Sequence, residues 1–166
     1  MTRVNPPYAA DEREMLIAYL DFQRESMVMK IEGLTEEQAR WKPADGANSL
    51  IALIQHLGYD EIWWFRVCFA GTESVDLFPE DDPDMDLRVP DERAVDDVVA
   101  FYRREWEASN DIIRSAPSLD RPAAYTSRKD GVPTLRWIIN HMIEETARHA
   151  GHADITRELI DGSTGL

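Results

Sequence analysis

The sequence predicts an all-α fold, a four-helix bundle with long middle connections. Three observations carry this. Four segments, each about 20 residues long, repeat apolar side chains at helical spacing with charges between them. Residues that start or stop helices flank three of them. No strand-length alternating run and no internal repeat at a solenoid period occurs. The 166 residues, 43% of them hydrophobic, suffice for one sizeable core, so residues 1–166 are expected to form a single domain.

The first segment runs from near Ala10 to about Glu32, with Met15, Leu16, Tyr19, Leu20, Met27, Val28 and Ile31 on its apolar side. Asp11, Glu12 and Glu14 suit the positive end of its dipole, and Gly33 supplies the stop. Thr35-Glu36-Glu37-Gln38 is a capping box for a short helix that Pro43 must end. Asp45-Gly46 is turn chemistry. Ser49 is expected to cap a long helix from about Leu50 to Phe69, ended by Gly71. Thr72 to Pro90, with Asp76, Glu80, Asp82, Asp84 and Asp86 among its acids, is expected to be a solvated surface loop. It lacks the bend glycine and terminal glutamate of a calcium loop. A third helix is expected from Asp91 or Ala94 to Ser115. Ala116 to Val132 is a second loop, turning at Asp130-Gly131. Thr134 caps the last helix, which runs to Asp161 with Gly162 as its stop. Both middle connections exceed a tight helix–helix turn, so a simple up-down order does not follow.

Charge narrows the partners. Eighteen Lys and Arg face 32 Asp and Glu, a net charge of −14. Phosphate-driven nucleic-acid binding needs the opposite sign, and an anionic membrane surface would repel the chain. A single cysteine, Cys68, excludes an internal disulfide and suits a reducing compartment. No apolar run approaches a membrane span, and the N-terminus lacks a signal peptide's apolar stretch. The expectation is a cytoplasmic protein, monomer or homodimer. Cys68 lies among Val67 and Phe69 and is expected to be a buried small hydrophobe rather than a nucleophile. Trp63 and Trp64 are read as core, with one of them free to line a pocket.

One polar constellation sits where a core stripe belongs. His141, Glu145, His149 and His152 fall on one face of the last helix at roughly 100° per residue. His56, the fourth histidine, keeps the apolar phase of Leu53 and Leu57. Imidazole and carboxylate four residues apart can bind one metal, and a facing helix can add a third ligand. Glu145, His149 and His56 satisfy that pattern. Spacing alone leaves two readings open, a metal site or a polar stripe of solvated or satisfied side chains. Nucleotide, phosphate-loop and nucleophile-elbow motifs are missing.

Three blocks bear on this choice. They are Leu34 to Pro43, Ser49 to Leu57, and Thr134 to Ile138 continuing into Glu145-Thr146-Ala147-Arg148-His149-Ala150-Gly151-His152-Ala153-Asp154. They resemble the DinB superfamily of metal-binding four-helix bundles across nearly the whole chain. The third block looks like its actinobacterial branch, the mycothiol S-transferases. The resemblance implies a divalent metal, zinc first and nickel second, on His56, Glu145 and His149. Many relatives carry histidine where this chain has Glu145, but a His–Glu–His set has precedent in mycothiol-dependent maleylpyruvate isomerase. It also implies a thiol S-transferase of detoxification type, with mycothiol as the thiol co-substrate and no protein nucleophile. The metal would favour the thiolate.

The thiol's sugar hydroxyls and carboxamides need polar partners. Tyr59, Asp60 and Trp63 follow His56 by three, four and seven residues and share its face. Asn140, Arg148 and His152 from the last helix complete the expected wall. Arg148 is about 60° off the ligand stripe, so it is either a surface residue or an anion clamp. A non-catalytic metal-binding or stress-related module, and a thiol-dependent isomerase or hydrolase on the same fold, are the alternatives.

Overall fold

The computed structural model describes residues 3–74, 79, 81–126, 129 and 131–165. Asp76, Glu80 and Asp130, read above as loop and turn residues, lie outside that set. Helix α1 spans Glu12–Ile31, opened by the Asp11 carboxylate, which accepts from the Glu14 backbone N–H at 3.1 Å. The short α2, Glu36–Arg40, carries the complete Thr35/Gln38 capping box. Helix α3 spans Leu50–Glu61, α4 spans Val95–Ser115, and α5 spans Leu135–Asp161. Thr134 caps α5 through its side chain, and Gly162 ends it at φ 78. The fold is all-α: among the described residues the only β-type pairing is an isolated bridge between Pro122 and Thr134. No described helix is long and apolar enough to cross a membrane.

Two expectations change. Ser49 sits at the N-cap of α3 with extended backbone, but its side chain makes no capping bond. The long second helix is not α-helical throughout. From Ile62 to Ala70 it continues as a π-helix, ended by Gly71 in the left-handed conformation at φ 66. The wider turns carry Trp63 toward Tyr125, Trp64 toward Trp137, and Phe65 into the core. The 116–132 connection then covers the helix end: Ala124 and Tyr125 donate their backbone N–H groups to the carbonyls of Phe69 and Cys68. Those carbonyls would otherwise lack partners at a helix terminus.

Helix α1 packs chiefly on α5, and α3 chiefly on α4, with α3–α5 and α1–α4 contacts closing the ring. Gly58 lets the Phe101 ring lie directly on α3, where a Cβ would collide with it. Apolar packing divides into two main clusters. One joins Met27, Ile31, Leu50, Leu57, Val98, Tyr102 and Ala153. The other joins Leu20, Phe65, Phe69, Ile113, Leu135 and Met142. Each long helix places polar residues between the two: Arg24 on α1, Glu61 on α3, Asn110 on α4 and Thr146 on α5, all buried. Buried polar groups need partners, so this middle layer is where the specific chemistry lies.

Candidate metal centre

His56 from α3 meets Glu145 and His149 from α5 at the edge of this polar layer. One ligand atom from each lies within 4.8 Å of the others. The two imidazoles stand edge-on, with centroids 5.0 Å apart, and His149 Nε2 is 3.1 Å from Glu145 Oε1. The i, i+4 step on α5 stacks Glu145 and His149 one turn apart, and α3 crosses close enough to add His56.

Carboxylates crowd the histidines. His56 Nδ1 lies 2.7 Å from Asp86 Oδ2, and its Nε2 lies 3.2 Å from Asp60 Oδ2. Burial works against a charged His56, but the Asp86 hydrogen bond and the Asp60 charge outweigh it and raise the imidazole to about 9. Burial pushes the Asp60 carboxyl up to about 7. His56 opposes that rise, and the charges of Glu145, Asp86 and Glu61 add to it. His149 is held below the ordinary histidine value by burial and by the charge of His56.

The donor set fits a divalent ion. Two imidazole nitrogens and one carboxylate oxygen suit zinc or nickel and leave positions for other ligands. His149 Nδ1 is buried and has no hydrogen-bond partner among the described residues.

The residues expected around the centre fall into two groups. Asp60 lies beside His56, and the His152 ring is 5.9 Å from that of His149. Arg148 Nη1 is 3.4 Å from Glu145 Oε2, and its guanidinium also pairs with Glu144. Asn140 instead donates to the Arg136 carbonyl of its own helix at 2.8 Å. Tyr59 leans on Phe101 with centroids 5.3 Å apart, and Trp63 packs beside the Ile62, Val67 and Phe101 cluster. His141 stacks on Trp137, 5.0 Å between centroids, with Trp64 edge-on to it at 4.6 Å. Cys68 is buried, and burial pushes its thiol up to about 11.

Two features were not anticipated. A cavity of about 360 Å³ opens beside His149 and His152, bounded by Leu53, Ile155 and Thr156 and by the turn around Gly46 to Asn48. Its volume falls in the range of small-molecule sites. The turn is visible as Asp45-Gly46, but nothing in the sequence ties it to α5. Asp86 is the second. In the acid-rich connection, Asp84 is exposed and Glu73 and Asp82 pair with Arg66 and Arg88, as befits a surface. Asp86 departs from that reading: it is buried, because the 3-10 turn Met85–Leu87 folds it against His56.

An all-α bundle whose last helix offers a carboxylate and an imidazole to a histidine on a facing helix is a DinB-like bundle, a class typically dependent on metal. Residues 15–162 match the mycothiol-S-transferase family, and the chain belongs to that family. A crystal structure described as a conserved protein from Enterococcus faecalis is similar at TM-score 0.62 and 16% identity, over 93% of this chain and 100% of that one. That likeness shows the fold. Curated proteins return no match.

Proposed function

We propose that this protein is a divalent-metal-dependent S-transferase that joins mycothiol to an electrophile, with His56, Glu145 and His149 holding the metal. The convergence of those three ligand atoms carries the reading, and membership of the mycothiol-S-transferase family supports the reaction class. A bound divalent cation supplies one thing here: it lowers the pKa of a thiol and favours the nucleophilic thiolate.

The chain's own residues do the rest. Arg148 braces the Glu145 carboxylate by its Oε2. His152, Asn48 and Thr156 put polar groups on the cavity beside His149, and Leu53 and Ile155 make it partly apolar. Asp60 lies at the centre itself. The cation sees only sulfur, so discrimination among thiols falls to such polar groups. A site built for them rejects a thiol that leaves them unpaired.

Purified protein assayed with mycothiol and monobromobimane tests this. Activity is expected with zinc, to vanish with chelator, and to be at least about tenfold lower with glutathione at matched concentration. His152→Gln is expected to raise KM for mycothiol while metal content stays at the wild-type level. Equal rates with both thiols contradict a dedicated thiol pocket. No rate with any thiol in fully metallated protein contradicts transfer.

A further inference from the structure

We infer that Asp86 is a positioning residue for the metal centre, fixing the His56 ring with its proton on Nδ1 so that Nε2 is the nitrogen that ligates. This rests on the metal reading above. Asp86 Oδ2 is 2.7 Å from His56 Nδ1, and the residue is 9% exposed. A carboxylate is an acceptor, so the ring must donate from Nδ1, which leaves the Nε2 lone pair for a ligand bond. Asp60 cannot serve this purpose. It faces Nε2 at 3.2 Å, and that contact is given up when Nε2 ligates a cation.

The backbone that carries this carboxylate is also held in place. Gln55, buried and adjacent to His56 on α3, donates its Nε2 to the Asp86 carbonyl at 2.6 Å and to the Arg88 carbonyl at 3.1 Å. Arg93 Nη1 in turn donates to Gln55 Oε1 at 2.6 Å. This latch ties the acid-rich connection to the helix turn that bears the ligand. A carboxylate behind a ligating imidazole orients the ring and raises its basicity. Among the described residues His149 has no such partner on its own Nδ1, so Asp86 steadies a ligand in a way that His149 lacks.

The test measures zinc affinity of metal-free protein by chelator competition, for wild type, Asp86→Asn and Asp84→Asn. Asp86→Asn is expected to bind zinc about 10–100-fold more weakly, and Asp84→Asn as wild type does. Nitrogen-15 NMR of the zinc-loaded protein adds a readout that general loosening of the loop would not supply. The His56 Nδ1 proton is expected to be hydrogen-bonded and slow to exchange in wild type, and lost in Asp86→Ala. Unchanged affinity in Asp86→Asn, or an undisturbed Nδ1 proton in Asp86→Ala, overturns the inference while the metal reading stands. A wild-type protein that takes up no zinc overturns both.

Discussion

Two groups of buried charge share the middle layer of this bundle and solve the same problem differently. In the first, Arg24 and Glu61 are both fully buried and form a two-pronged pair, Nε to Oε1 at 2.8 Å and Nη2 to Oε2 at 2.6 Å. Arg24 Nη1 reaches Asp21 at 2.8 Å and Asn110 at 2.9 Å, and Asn110 returns to Asp21 at 3.1 Å. The cation is part of the chain, and the carboxylates are satisfied without help. One residue earlier on α3, Asp60 looks the other way into the second group, with His56, Glu145 and Asp86. Among the described residues Asp60 and Asp86 pair with His56 and with no lysine or arginine, and Arg148 reaches Glu145 at Oε2. Buried carboxylates need a compensating charge. Where the sequence provides a guanidinium, the result is architecture. Where it withholds one, the acids gather around two histidines instead.

Breaking the first group should have the largest effect on folding. Arg24→Met leaves Glu61 buried without a counter-charge and is expected to cost about 3–5 kcal/mol in urea unfolding. Adding Glu61→Leu removes the stranded charge and should recover most of that loss. A cost below about 1 kcal/mol for Arg24→Met alone would show that Glu61 finds water or another partner.

The second group should instead show itself through pH, in metal-free protein. His56 binds its proton more tightly folded, at about 9 against an ordinary 6.5. Its contribution to stability is therefore fully present below about pH 6.5 and lost as pH rises through 9. Asp60, at about 7 against an ordinary 3.8, is uncharged more readily in the folded chain, so its ionisation penalty grows from about pH 4 to 7. Both slopes have the same sign, and His149, held below its ordinary value, opposes them in part. Metal-free protein should lose on the order of a few kcal/mol of stability between pH 5 and pH 9, and excess zinc should flatten that loss. Chemical unfolding at both pH values, with and without zinc, measures it. A flat metal-free profile would mean the site is already neutral without a cation.

The architecture was legible because it is local. Periodicity, the Thr35 capping box, Thr134 and the terminal glycines depend on neighbours within a turn or two. The π-helical continuation was not legible, since Ile62–Ala70 has the composition of an ordinary apolar helix. Trp63, placed on the His56 face by helical counting, lies near the start of that segment and packs beside Phe101 and Tyr125. The Glu145/His149 pair could be read from spacing within α5, and the resemblance assigned His56 as its partner from α3. Asp86 could not, because 30 residues of chain separate it from His56 and only the fold closes that distance. Among several acids in one connection, nothing local distinguishes the one that is buried.

We propose the second group as a metal site of one ion per chain, built on His56, Glu145 and His149. Calorimetric titration of zinc into metal-free protein, beside the same titration of His149→Ala, tests it most directly. A stoichiometry of about one is expected for wild type and near-complete loss of binding in the variant, since two of three ligands cannot hold the ion alone. Undiminished stoichiometry and affinity in His149→Ala, or no uptake by the wild-type protein, would contradict it.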